Sequence, residues 1–426
     1  MFSRRRLLQQ LAGASASIAA VRAASEPELL LSPEDDQFLE ELEKANFLFF
    51  WEQADPKTGL IKDRCNIRTP NPNEVAASIA AVGFGLTAIC IGHKRGYISL
   101  SDARSRVMAT LEFLWKKMPT HRGFFYHWAN INTGERIWDA EVSSIDTAIL
   151  LCGVLTCRQY FHYSEITSLA YLIFNRVDWT WVSEDTALLP MGWTPEIGFL
   201  PYRWGYYSEL MMMYLLALGS TSHPLPVQTW NAWKRTTFEY DGLRYIGSYA
   251  PLFVHQYSQA WFDFRGKRDR YADYFKNSVI ATEVHRRFCL ELAKQFPDYS
   301  DDLWGITASD SRQGYVIWGG PPQMGPIDGT VAPSAAGGSL AFLPQPTLRV
   351  LKNMKNRYGA HCWSRYGFVN AFNPLKNWYD TDVIGIDTGI TLLMAENLRT
   401  GLVWSTFMKS PEAQRGLERA GFANYS

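Results

Sequence analysis

The 426-residue sequence has no surplus of charge of either sign: 42 Lys and Arg stand against 42 Asp and Glu, and charged residues make up 20% of the chain. Nucleic acids and anionic membrane surfaces select basic proteins, so neither is expected as a partner and the ligand should be neutral. Cysteine is scarce. The six thiols, Cys65, Cys90, Cys152, Cys157, Cys289 and Cys362, form no CxxC pair and no Cys/His cluster at zinc-ligand spacing. No metal site is therefore expected, and buried free thiols are the simplest reading, with a disulfide still open to an exported chain. The sequence also lacks a phosphate-cradling P-loop, a GxGxxG dinucleotide loop and a Gly-x-Ser-x-Gly nucleophile elbow, so no organic cofactor is implied. Beyond the N-terminus no run approaches the ~20 apolar residues that a membrane span requires.

What is present begins with a leader. Ser3-Arg4-Arg5-Arg6-Leu7-Leu8 precedes a modestly apolar run over residues 11–21 and a small-residue exit at Ala23 or Ala24. Basic start, apolar stretch and cleavage site in that order read as a twin-arginine signal peptide over residues 1–24, removed on export to the periplasm or medium. Residues 25–426 show no low-complexity linker and no break in composition, so one soluble, monomeric domain is expected.

Helical signals dominate that domain. Ser32-Pro33-Glu34-Asp35 supplies an N-cap serine, a proline at the first helical position and acids in the first turn, and Ser410-Pro411-Glu412 repeats the device. Between them, periodicity predicts helices over residues 74–93, 101–117, 143–161, 164–175, 206–218, 226–238, 257–262, 271–294, 346–358 and 388–397. Short turns alternate with long segments rich in Gly, Trp, Tyr and Pro at 123–139, 189–205, 304–334 and 365–385; such loops in a compact domain usually carry function. Around Asn132-Thr133-Gly134 the flanking aromatics predict a small β-hairpin. Helix pairs with long loops at one end suggest an all-α (α/α)6 toroid, although periodicity establishes the pairing and not the count.

The loops hold more carboxylates than helix capping needs. Asp139 and Glu141 stand before the 143–161 helix with Asp146 a turn further on, Glu196 sits in Gly192-Trp193-Thr194-Pro195-Glu196-Ile197-Gly198, and Asp387 lies in Ile384-Gly385-Ile386-Asp387-Thr388-Gly389. Glycosidic hydrolysis needs two carboxyls, one protonated and one ionised. Against that, Asp139 and Asp387 could cap helices, Glu141 could complement a helix dipole and Asp146 could be a buried acceptor. Glu196 has no helix to stabilise, and its Trp, Pro and Gly neighbours predict an apolar setting that raises its pKa. The run from His255 to Arg265 reads either as a polar wall for sugar hydroxyls, through His255, Trp261, Asp263 and Arg265, or as a structural Asp–Arg pair. Asp310 and Asp328 lie on glycine-rich loops suited to hydroxyl contacts or to turns. Trp193, Tyr202, Trp204, Trp261, Trp318 and Trp378 are candidate stacking surfaces; aromatics form 14% of the chain, and core packing competes for each ring.

The strings from His255 to Arg265, Leu303-Trp304-Gly305-Ile306-Thr307-Ala308-Ser309-Asp310, Gly325-Pro326-Ile327-Asp328-Gly329-Thr330 and the Asp387 segment with Met394-Ala395-Glu396-Asn397 together resemble the glycoamylase-like domain. That domain is shared by bacterial endo-β-1,2-glucanases of glycoside hydrolase family 144 and by a central region of cyclic β-1,2-glucan synthases. The resemblance implies an (α/α)6 fold and cofactor-free hydrolysis of a β-glucan with inversion. It implies Glu196 as general acid, acting directly or through a substrate hydroxyl, Asp387 as candidate base, and Asp139, Glu141 and Asp146 as cleft-lining acids. Transglycosylation or phosphorolysis on the same scaffold, and glucan binding without catalysis, are the competing expectations.

Overall fold

The computed structural model describes residues 31–69, 71, 74–184, 186–249, 251–322 and 325–425; the proposed leader lies outside the described residues. Its framework consists of helices α1 (Pro33–Glu52), α2 (Ile79–Lys94), α3 (Leu100–Lys116), α4 (Ser144–Phe161), α5 (Ser164–Asn175), α6 (Leu210–Gly219), α7 (Tyr257–Trp261), α8 (Tyr274–Leu292), α9 (Pro333–Gly337), α10 (Pro344–Cys362), α11 (Gly385–Arg399), α12 (Leu402–Phe407) and α13 (Pro411–Arg419). Short helical turns at Trp179–Ser183 and Gln228–Ala232 join them. No described helix is long and apolar enough to cross a membrane.

Burial sorts these helices into two sets. Every residue of α6 is buried, as is every residue of α2 from Ile79 to Gly92 and nearly all of α4; a helix apolar on all sides must be surrounded by others. By contrast α3, α5, α8 and α10 bury one stripe and expose the rest. Inner contacts run from α2 to α4, α4 to α6, α6 to α7, α7 to α11 and back from α11 to α2, with α9 against α11. Outside them, α1 packs on α2 and α11, α3 and α5 on each other and on α2 and α4, and α13 on α6. Glycine permits the tightest of these crossings. A Cβ added at Gly83 of α2 would lie 2.4 Å from the Ile149 carbonyl of α4, and one at Gly153 of α4 would lie 2.2 Å from that of Gly83, so any larger residue would force the helices apart.

The predicted helices over 164–175 and 143–161 match within a residue, and α10 runs further in both directions than expected. Ser32 caps α1 by accepting from Asp35 N at 3.1 Å; Ser410 makes no side-chain cap. The helix expected from residue 74 begins later because its first residues are extended, Ala76–Ser78 pairing with Trp128–Asn130 ahead of α2, while α6 starts at Leu210 after bends and a turn at Glu209, and α8 starts at Tyr274. The predicted 226–238 helix breaks after Ala232, and Thr237–Tyr240 forms a hairpin with Leu243–Ile246 across Asp241 and Gly242, both with positive φ. The 132–134 turn is present, closed by Gly134 N to Asn130 O and an Ala129–Arg136 bridge. It is one of many such devices: nine small sheets, none wider than three strands, satisfy loop backbone among the described residues. All six cysteines are free and buried.

Candidate active site

The starts of the inner helices converge. Tyr257, which opens α7, lies within electrostatic reach of Glu209 at the head of α6, Asp146 in the first turn of α4 and Asp387 in the first turn of α11. Asp63, ahead of α2, accepts Gly385 N at 2.7 Å through its carbonyl, and Ser334 of α9 lines the same small pocket as Asp387. Helix N-termini carry partial positive charge, so this end of the molecule is suited to holding carboxylates.

Two carboxyls there behave unlike ordinary acids. Glu209 occupies the N-cap position of α6 yet makes no capping hydrogen bond; desolvation, together with the charge of Asp146, pushes its pKa up to about 7. It faces a 530 Å³ cavity walled by Trp204, Tyr249, Phe253, Tyr315 and Trp318. Trp204 and Trp318 are held rigidly, their Nε1 groups donating to Ser144 Oγ and Ser309 Oγ, each at 2.9 Å. Asp387 is likewise raised to about 7, by burial first and then by Asp310 and Asp63, against a hydrogen bond donated by Asn370 Nδ2 at 2.5 Å. It is not an N-cap: α11 is headed by Ile384, and Asp387 lies inside the first turn.

Around this pair several acids have cationic partners, while Asp380, beside Asp310 and Asp382, is a third carboxyl that burial pushes up to about 7. His127 Nδ1 meets Glu141 Oε1 at 3.0 Å and Nε2 lies 3.7 Å from Asp146 Oδ2; burial disfavours the imidazolium, but Asp146, Glu141 and Asp63 outweigh it and raise the pKa to about 9. His127, Glu141 and Asp146 are the group whose ligand atoms, within 4.8 Å of one another, could hold a cation, and at neutral pH the imidazolium already supplies the positive charge. Arg64 serves the other side, 2.8 Å from Asp63 and from Asp310 and 3.6 Å from Asp382.

Of the acids expected from sequence, Asp146, Glu141, Asp387 and Asp310 thus gather in one place, with Trp204 and Trp318 beside them. Glu196 does not meet its expectation. Its side chain is 53% exposed and forms a bidentate pair with Arg136, at 2.6 and 2.9 Å, which lowers its pKa to about 2; the apolar setting inferred from its neighbours is replaced by solvent and a guanidinium. Asp139 is exposed, and Ser143, not Asp139, caps α4. His255 is buried against the Tyr207 hydroxyl at 3.1 Å, and burial drives its pKa down to about 3, so it is a neutral core histidine. Trp261 is core, donating to Thr87 Oγ1 at 3.0 Å. Asp263 and Arg265 pair with each other at 2.9 Å, with Arg265 over Trp404, past the end of α7 remote from Tyr257. Asp328 binds Lys376 and caps the turn at Thr330 N. Trp193 stacks on His121 at 3.9 Å, Trp378 is half-buried in a two-residue strand pairing, and Tyr202 is 69% exposed.

Glu209, His127, Arg64 and Asp63 join this cluster without any expectation from the sequence. For Glu209 a signal existed: it immediately precedes the wholly apolar run 210–218, and an acid at the head of a helix with no solvated face has nowhere to go but the space where helix ends meet.

Comparison with known proteins agrees with this architecture. The Glycoamylase family model, described as "Putative glucoamylase", matches residues 201–411. A Bacteroides caccae protein of the same description is 30% identical, with 92% of this chain and all of that one covered at a TM-score of 0.86. An endo-β-1,2-glucanase from Chitinophaga pinensis, solved with sophorotriose and glucose, is 29% identical, covering 93% of this chain and 99% of that one, also at 0.86. The exo β-1,2-glucooligosaccharide sophorohydrolase of Parabacteroides distasonis is 29% identical over 90% of this chain, which spans 58% of that longer protein. The chain belongs to the glycoamylase-like family.

Proposed function

We propose that this protein is a glycoside hydrolase that cleaves β-1,2-linked glucan by acid–base catalysis, with Glu209 as general acid and Asp387 as base. The observation that carries the reading is the pair itself: two carboxyls at the heads of separate inner helices, both within electrostatic reach of Tyr257 and each raised to about 7. Inverting hydrolysis needs one carboxyl protonated to assist the leaving oxygen and one ionised to activate water. Glu209, uncommitted and set among apolar rings, retains its proton near neutrality. Asp387 accepts from Asn370 and sits at the positive end of α11, both of which favour its carboxylate. Trp204, Trp318 and Tyr315 offer flat faces to the sugar, and Arg64 and His127 keep the flanking acids charged without adding net negative charge. Glu196 belongs to the rim in this reading.

The linkage rests on the Chitinophaga and Parabacteroides relatives, whose names specify β-1,2 chains. The closing ring of inner contacts supports the (α/α)6 toroid as the finer description of the fold, and export through the twin-arginine route is part of the same proposal. Incubation with β-1,2-, β-1,3-, β-1,4- and α-linked glucans tests it: reducing ends should appear from the β-1,2 chain alone. Release from none would reduce the protein to a binder, and sugar phosphate formed only with phosphate present would make it a phosphorylase. Product lengths separate internal cutting from disaccharide release at a chain end.

A further inference from the structure

Two consecutive residues beside the acid cluster, Trp138 and Asp139, have left-handed backbones, with φ of 55° and 51°. This conformation is unfavourable for residues with a Cβ and persists only where surrounding bonds impose it. Arg136 imposes it here. Its guanidinium donates to the Ala140 carbonyl through Nε and to the Asp139 carbonyl through Nη2, while Nη1 and Nη2 grip the two Glu196 oxygens on the neighbouring loop.

The strain secures no burial. Trp138 is 69% exposed, among the most exposed large apolar side chains of the described residues, and leaving an indole in water forgoes the free energy that ordinarily holds one in place. Its setting is nonetheless ordered. The ring lies 5.7 Å from Trp128 in an edge arrangement, Trp128 stacks on His127 at 4.3 Å and 15°, and His127 bonds Glu141. An aromatic staircase therefore descends from solvent to the carboxylates.

We infer that Trp138 is a binding platform for a glucosyl unit distant from the bond that is cut, presented by the Arg136–Glu196 latch. An exposed, pre-positioned indole matches the apolar face of a pyranose ring, and an ordered side chain loses little entropy on binding. The inference rests on the proposed glucan substrate.

The test is a length series of β-1,2-glucooligosaccharides, from trisaccharide to decasaccharide, with the full chain, Trp138→Ala and Trp138→Phe. The wild-type advantage in kcat/KM of long over short chains should fall roughly tenfold in Trp138→Ala, chiefly through KM, and largely return in Trp138→Phe. Thermal midpoints should agree within a few degrees. An equal loss at every length, or none, overturns the platform while leaving the hydrolase reading intact. If the wild type cuts none of them, calorimetric binding of the same series decides: weaker binding of long chains by Trp138→Ala sustains the platform, and unchanged or absent binding removes it.

Discussion

The two ends of the inner helices both bury carboxylates, and they treat them in opposite ways. At the end where α2 and α11 finish, Glu43 and Glu396 have fully buried side chains, and two arginines serve them: Arg95 Nε lies 2.7 Å from Glu396 and 3.4 Å from Glu43, and Arg399 Nη1 lies 2.6 Å from Glu43. Arg399 extends the network to Glu40 and Asp36, each at 2.8 Å. Burial and Glu396 still push Glu43 upward, so the arginines offset the desolvation without erasing it. At the cleft end Glu209 and Asp387 form no ion pair among the described residues, and Arg64 is divided among Asp63, Asp310 and Asp382. The helix dipoles suit both arrangements, with bases at C-termini and acids at N-termini. What distinguishes them is pairing: Glu43 and Glu396 are given guanidinium partners, and the proposed catalytic pair, Glu209 and Asp387, is not.

Removing the uncommitted acid should have the largest effect. Glu209→Gln should lower kcat on β-1,2-glucan by about a thousandfold or more, within the range expected for general-acid loss, with the circular dichroism spectrum unchanged. The same variant should be more heat-stable at pH 8 than the wild type. A carboxyl whose folded pKa lies above its unfolded value is stabilising only while protonated, so the wild type loses stability as pH rises from the ordinary carboxylate range through about 7, a penalty the amide does not share. A Tm gain that vanishes at pH 5 would confirm the contrast with the paired end; equal Tm at both values would break it.

At the other end the mirror experiment costs stability and spares chemistry. Arg399, 4% exposed, is the partner whose loss strands Glu43. Arg399→Met should destabilise the fold by about 3–5 kcal/mol, read from denaturant midpoints, while kcat of the folded enzyme at low temperature stays within twofold. A neutral result would mean that the arginines are ornamental and the pairing rule fails.

Titration sharpens the comparison with a smaller effect. Activity should be bell-shaped around neutrality: the alkaline limb follows deprotonation of Glu209 and falls about tenfold per unit above its pKa, and the acid limb follows protonation of Asp387. Asn370→Ala removes a hydrogen bond to the Asp387 carboxylate, so the acid limb should move to higher pH while the alkaline limb stays. Movement of both limbs together would mean that the two carboxyls titrate as one unit.

How far this could be read from sequence follows from what each feature depends on. α5 was legible because Ile166, Leu169, Ala170 and Ile173 repeat at helical spacing against polar residues. α9 and α12 were not, being five and six residues long and mostly buried on all sides, too short for a period to show. The Asp241-Gly242 hairpin carried its own signal and was overridden by the helical pattern before it. In the candidate site, Asp146 and Asp387 lie in the first turns of apolar helices, a position at a helix start that Glu209 shares. Glu196 misled because local composition says nothing of a partner sixty positions away in sequence: Arg136 arrives only when the two loops fold over one another. His255 misled in the opposite direction, its polar string being interior.

Glu196 supplies the mildest test of the pairing rule, since it is paired like the far-end acids yet exposed like neither set. An exposed ion pair contributes little to stability, and its lowered pKa of about 2 keeps Glu196 ionised at every pH where the enzyme would work, so it cannot deliver a proton there. Glu196→Gln should therefore leave kcat on short oligosaccharides within about twofold and leave both limbs of the pH profile in place. Loss of the alkaline limb in this variant would return the acid's role to Glu196 and sever the link between an unpaired carboxyl and catalysis. An unchanged profile with a modest rise in KM confined to long chains would place Glu196 where its geometry puts it, as the anchor for Arg136 and the loop that Arg136 holds.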